Sequence, residues 1–349
     1  MMHYVAEAID ADGHVVETRR ALEAYGWRGK ATGLIDEMLS WDREDWGDWI
    51  RTTAARATVD VDARLEDQDR EGIDHSVNYP TPLLGISDFP DTGSAISACS
   101  AYNDWFHAVW HQPSRGRMTG AALVPLRDAA AAAREAERAI NELGAVAVLV
   151  QPYVGDDIHL CDAQFDSLWA VCERYGKPVA IHGSRHTCPP KLVAHNFRNA
   201  ARFYAISHPF QQQVAMGDLV LGGVMERYPR LKLVFLESGV GWMPHYIDRL
   251  DEAYHTVRVD WINQEWALRA KPSEYLLSGN CYFSCEPDEP HLGFYVRCLG
   301  ENQVVYASDY PHFDAKCPDS VRILVEHGGL PAQTLMKVAG GNARRLYAL

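Results

Sequence analysis

Short apolar runs recur along the chain, each followed by a longer amphipathic or polar stretch. The runs are AEAIDADGH (6–14), GIDHSVNYP (72–80), MTGAALVPL (118–126), AVAVLVQPY (145–153), KPVAIHG (177–183), LKLVFLESG (231–239), NCYFSCEP (280–287) and QVVYASDYPH (303–312). Their length and near-continuous apolar character predict strands buried on both faces. The stretches between them read mainly as helices. DVDARLEDQDRE is a charged helix. RDAAAAAREAERAINELG (127–144) and DAQFDSLWAVCERYG (162–176) each end on a glycine, suited to a helix C-terminus. QQVAMGDLVLGGVMERYP (212–229) stops at a proline, and PHYIDRLDEAYHTV (244–257) has helical spacing. Strands alternating with helices predict parallel βαβ units. Their number fits one closed (β/α)8 TIM barrel over residues 1–349.

Two insertions break this rhythm. Residues 18–58, after strand one, carry Trp27, Trp41, Trp46 and Trp49. Residues 184–211 follow strand five. Loops after barrel strands line the active-site face, so both insertions are expected to help build a pocket. The tryptophans suit a substrate wall or a small satellite core equally. A dimer contact is a third use for them.

Composition narrows the class. The chain has 349 residues, 47% of them hydrophobic, and a formal net charge of -14. An acidic surface argues against nucleic acid or an anionic membrane as partner. Basic residues do gather at Arg185, Lys191, Arg198 and Arg202. No long apolar run and no secretory pattern are present, so a cytoplasmic protein is expected. The eight cysteines are then expected to be reduced thiols. Cys281 and Cys285 would share one face of a strand.

The chemistry concentrates at the strand ends. In a barrel these ends meet on one face, so residues distant in sequence converge. Strand one offers Asp10, Asp12, His14 and Glu17. Strand five offers His182, strand six Glu237, strand seven Glu286, and strand eight Asp309 and His312. Gathered carboxylates repel one another unless a cation offsets them, and mixed imidazole and carboxylate donors suit zinc, iron or manganese. Singly, each residue has a plainer use. Asp10 can cap backbone donors, Glu17 can be a solvated helix-start charge, and His186 can be a loop histidine.

These motifs resemble the amidohydrolase superfamily, in particular the branch of aminocarboxymuconate semialdehyde decarboxylase. IDADGH stands where the family has I-D-x-H-x-H, KPVAIHG carries the strand-five histidine, and YASDYPH carries the strand-eight Asp. GGVMERYPRLKLVFLESG resembles the stretch that ends in the strand-six histidine. The resemblance implies metal ligation by His14, His182 and Asp309. Asp12 and Glu237 occupy family histidine positions, and AVAVLVQPY offers Gln151 where other members carry a bridging lysine.

Replacing two histidines by carboxylates makes the ligand set more anionic. With Asp12, His14, His182, Glu237 and Asp309, and His208 as a sixth donor, it resembles the nonheme diiron monooxygenase offshoot known from platensimycin-type diterpenoid biosynthesis. That resemblance implies two Fe ions, O2, and hydroxylation of a small hydrophobic or acyl intermediate, with Glu237, His208 and His312 catalytic. Glu17 and Glu286 would orient ligands or move protons. The alternative is a mononuclear Zn or Mn hydrolase or nonoxidative decarboxylase, with Glu237 a general base. A barrel that only binds is the third reading. A homodimer is expected in each case.

Overall fold

In the computed structural model the described residues are 5–31, 33–40, 56–155, 157–184, 200–256 and 268–349. Trp41, Trp46, Trp49, Arg185, His186, Cys188, Lys191 and Arg198 lie outside them. Eight parallel strands form one sheet in sequence order. They are β1 (Ile9–His14), β2 (His75–Tyr79), β3 (Met118–Leu123), β4 (Ala147–Val150), β5 (Val179–Ile181), β6 (Leu233–Phe235), β7 (Cys281–Cys285) and β8 (Val304–Tyr306). Each lies within a predicted apolar run. Beyond β8 the chain returns to β1. The Asp309 amide donates to the Asp12 carbonyl at 2.9 Å, and the His14 amide to the Tyr310 carbonyl at 2.8 Å. The fold is a (β/α)8 TIM barrel.

Strands β4, β5, β6 and β8 carry only apolar or aromatic residues because alternate residues enter different apolar layers. Val148, Val150, Phe235, Phe283 and Val304 belong to one layer, with side chains from the surrounding helices. Leu149, Ala180, Val234, Tyr282 and Val305 belong to the other. Cys281 and Cys285 share the first layer as free, buried thiols.

The helices that matter for the site are α1 (Val61–Glu71), α2 (Thr92–Phe106), α3 (Ala129–Leu143), α4 (Asp166–Tyr175), α5 (Ala200–Leu221) and α6 (Met243–Thr256). The helix-ending glycines predicted from sequence, Gly144 and Gly176, do close α3 and α4. The Asp60 carboxylate accepts from the Asp62 and Ala63 amides at the start of α1, and Asp128 does the same for Ala131 ahead of α3. Gly144 ends α3 at φ +71°, a conformation that strains any side-chain-bearing residue.

Three expectations change. α5 starts at Ala200, not at 212, so part of the second insertion is helical despite Pro209 within it. The side chain of Gln212 bonds the Ile181 and Leu236 carbonyls, and that of Gln211 bonds the Ser184 carbonyl. These bonds tie the helix to the ends of β5 and β6. Trp27 is fully buried, against Phe89 and beneath Arg19, so it is core and no substrate wall. Glu17 is fully buried, not a solvated charge. It accepts hydrogen bonds from the Thr81 and Leu83 amides and so holds the loop after β2. No helix among the described residues is long and apolar enough to cross a membrane.

Candidate metal centre

Asp12 and His14 leave the end of β1, and His182 follows β5. All three are fully buried. His182 Nε2 lies 3.3 Å and His14 Nε2 3.6 Å from Asp12 Oδ1. From the far side Asp309 Oδ1 approaches His14 Nε2 to 3.2 Å, and Glu237 Oε2 approaches His182 Nε2 to 3.4 Å. Five side chains from β1, β5, β6 and β8 thus converge, as the strand ends predict.

The histidine orientations decide what the cluster can hold. His14 Nδ1 bonds the Pro80 carbonyl at 2.9 Å, and His182 Nδ1 bonds the Gly183 carbonyl at 2.7 Å. A carbonyl only accepts, so each Nδ1 carries the proton and each Nε2 presents a lone pair to the centre. Those lone pairs face carboxylate oxygens. Both Asp12 oxygens and both Nε2 atoms are buried without a hydrogen-bond partner among the described residues. Lone pairs turned toward each other in a dry site need a cation between them. Ligands about 2.1 Å from one ion lie about 3.0 Å apart at right angles and about 3.4 Å apart in a tetrahedron. The observed spacings match. The residues therefore fit a divalent metal, and anchoring of each Nδ1 by a carbonyl is the usual support for a ligating imidazole.

Among the described residues two triads have ligand atoms close enough for one ion: Asp12, His14 and His182, and His14, Asp309 and His312. They share His14. The His312 ring lies 4.1 Å from that of His14, and its Nδ1 is 2.7 Å from Asp309 Oδ1. His208, on α5, is set further out. Its Nε2 is 3.5 Å from Glu237 Oε2, and it joins neither triad.

Burial and charge act on these groups in opposite senses. Burial drives His14 down to about 4 and His208 down to about 3. For His182 burial also lowers the pKa, but Asp12 outweighs it and the net shift is upward. Burial, then Asp309 and Asp12, holds Glu237 well above the usual carboxylate range. Burial pushes Asp309 the same way, but the charge and hydrogen bond of His312, with His14 close beside, carry it well below. Glu237 and Asp309 also share left-handed backbones, φ +50° and +55°, which cost energy in residues other than glycine and cluster at functional sites.

Two adjoining chambers open onto the cluster. The larger, about 400 Å³, is mostly apolar, with Met38, Leu84, Phe203, Tyr204 and Phe313 around Glu237, His208 and His312. The smaller, about 200 Å³, holds Asp12, Glu286, Asp309 and Lys316. Tyr204, His208, Glu237 and Asp314 line both, and the Tyr204 hydroxyl donates to Asp314 Oδ2 at 2.6 Å. Sequence reasoning singled out neither Tyr204 nor Asp314. Asp314 was within reach, two residues past His312. Tyr204 was not, because it depends on α5 beginning early.

The model of the family described as Amidohydrolase matches residues 9–349. The chain belongs to this family. It is a metal-dependent enzyme of the amidohydrolase fold. Among curated relatives, the gamma-resorcylate decarboxylase of Polaromonas sp. is 25% identical over 310 residues, 82% of this chain and 87% of that one. The 2-amino-3-carboxymuconate-6-semialdehyde decarboxylase of Dictyostelium discoideum is 24% identical over 253 residues, 72% and 67% of the two chains. A solved 5-carboxyvanillate decarboxylase from Novosphingobium aromaticivorans, with bound manganese and a nitrobenzoic acid, superposes with a TM-score of 0.76 at 21% identity. The match covers 98% of this chain and 97% of that one. All three relatives are named as decarboxylases, which favours the nonoxidative alternative over the oxygenase.

Proposed function

We propose that this amidohydrolase, read as one domain over residues 1–349, is a nonoxidative decarboxylase of a small carboxylated aromatic or similarly conjugated acid. It would use one manganese or zinc ion held by Asp12, His14, His182 and Asp309. The observation that carries the reading is the set of buried, unpartnered donor atoms on Asp12, His14 and His182, spaced for one ion. Manganese in the carboxyvanillate decarboxylase supports the choice of metal.

In such a reaction the bond from ring carbon to carboxylate breaks, the electron pair stays on carbon, and a proton takes the place of carbon dioxide. No oxidant is consumed. A divalent ion held by Asp12, His14, His182 and Asp309 would supply positive charge for substrate oxygens. Glu237 would deliver the proton; its carboxyl lies beside the cluster and lines both chambers, which supports that role. His208 lies beside that carboxyl on the cleft side, its Nε2 3.5 Å from Glu237 Oε2. His312 bonds Asp309 and keeps it turned toward His14. The apolar wall of Met38, Leu84 and Phe313 accepts a ring and excludes water.

The test is metal analysis together with a screen of hydroxybenzoate and related carboxylates, with and without air. One manganese or zinc per chain and carbon dioxide released at equal rates in both atmospheres is expected. The carboxylate-rich ligand set favours the second reading, a two-iron oxygenase. Two irons per chain with turnover that consumes O2 would establish it and overturn the first.

A further inference from the structure

Arg64 on α1 is 1% exposed, and its guanidinium is poorly provided for. Only Nη2 has partners, the Tyr310 carbonyl at 3.0 Å and Asn78 Oδ1 at 3.3 Å. Nε and Nη1 have none among the described residues. A buried charge with idle donors is expensive, and an apolar side chain of similar volume would generally serve stability as well. Its retention calls for a reason other than stability.

The partners supply that reason. The Tyr310 carbonyl also accepts the His14 amide at 2.8 Å, so one oxygen holds both the guanidinium and the backbone of a ligand candidate. The same guanidinium stacks over the Tyr310 ring, 4.5 Å from its centre, and the Tyr310 hydroxyl donates to Asp67 on α1. Tyr310 is therefore gripped at its carbonyl, its ring and its hydroxyl. On the other side of Asp309, Ser308 is gripped by Asp10, which accepts from its amide at 2.8 Å and its hydroxyl at 2.6 Å. Asp10 also accepts from the Asp12 amide at 3.2 Å. Between these two anchors sits Asp309, with its left-handed backbone at φ +55°. Gly13 permits the approach, since a Cβ there would come within 3.2 Å of Arg64 Nη2 and 3.1 Å of Asp10 Oδ2.

We infer that Arg64 is a positioning residue of the metal centre, setting the placement of His14 and Asp309 through the Tyr310 carbonyl while touching neither side chain. The inference rests on the metal-centre reading above. It assigns the Arg64–Tyr310 contact to the ion's coordination geometry rather than to the barrel's stability.

Mn²⁺ binding to the metal-free full chain tests it, with titration calorimetry for affinity and the electron paramagnetic resonance spectrum of bound Mn²⁺ for symmetry. Arg64→Met is expected to weaken Mn²⁺ about 10- to 100-fold and to alter the spectrum, as loss of a ligand-orienting partner does. Arg64→Lys keeps the buried charge and is expected to recover part of the affinity. A thermal melt of each metal-free variant separates this from instability, which would lower the melting temperature and leave the spectrum unchanged. If Arg64→Met does not fold, the Lys variant decides: weaker Mn²⁺ with an altered spectrum supports the inference, and wild-type values overturn it. A wild-type chain that takes up neither Mn²⁺ nor Zn²⁺ overturns the metal-centre reading and this inference with it. Wild-type uptake matched in full by folded Arg64→Met overturns this inference alone.

Discussion

The amide of Asp309 donates to the carbonyl of Asp12 at 2.9 Å, so the last strand closes onto the first through the backbones of two ligand candidates. The seam of the barrel and the floor of its site are the same few residues. Losing the ion should therefore loosen the seam. A ligand present at about 100 times its dissociation constant adds about 2.7 kcal/mol to a fold it binds. Chelation is expected to lower the melting temperature by a few degrees, and Mn²⁺ or Zn²⁺ to restore it. A scan that is the same in chelator and in metal would count against the site.

Asp12→Asn and His14→Ala each remove one of the buried donors spaced for an ion. Each is expected to cut Mn²⁺ affinity by about 100-fold or more, since both lie closer to the ion than the supporting groups whose loss costs 10- to 100-fold. Calorimetry on metal-free protein reads this directly. Near-wild-type affinity in both variants would remove them from the ligand set.

Glu237→Gln keeps the shape of the side chain and removes its proton. If Glu237 delivers the proton, turnover is expected to fall about 100- to 10,000-fold with metal content unchanged. Metal analysis beside kinetics separates the roles: metal lost along with activity marks Glu237 as a ligand.

His75, at the start of β2, lies outside the ligand cluster and bonds Thr119 Oγ1 at 2.9 Å. Burial lowers its pKa to about 4 from an ordinary 6.5. Above pH 6.5 the ring is neutral folded or unfolded and contributes no pH dependence. As pH falls from 6.5 toward 4 the unfolded chain takes the proton first, so stability is lost over that window, by up to about 3 kcal/mol. Urea melts of wild type and His75→Asn across pH 4–7 isolate the effect, and the variant should show the shallower decline. Parallel profiles would contradict it.

Trp27 is fully buried between Phe89 and Arg19. Trp27→Ala is expected to cost about 3–5 kcal/mol of stability and leave KM for the carboxylate substrate unchanged. A large rise in KM with little loss of stability would return Trp27 to the substrate wall.

The barrel and the converging ligands were legible because both follow from local pattern. Apolar runs mark the strands, and chain order places Asp12, His182, Glu237 and Asp309 at strand ends on one face of the barrel. What was hidden depends on partners far away in sequence. Glu17 reads as a surface charge until the Thr81 and Leu83 amides close over it. The early start of α5 is masked by Pro209, and α2 by a run of small residues with little periodicity (TGSAISACSAYNDWF). Glu237 and Asp309 betray nothing of their left-handed backbones, because that strain is imposed by surrounding structure. The choice between a decarboxylase and an oxygenase was not legible either, since the same five donors suit one ion or two.

The two chambers of the cleft meet at Tyr204 and Asp314, joined by a hydrogen bond between their side chains at 2.6 Å. A single substitution at either residue would alter the boundary between a roughly 400 Å³ room and a roughly 200 Å³ one, a boundary that His208 and Glu237 also line. The size of acceptable substrate is thus among the most easily inherited changes open to this scaffold.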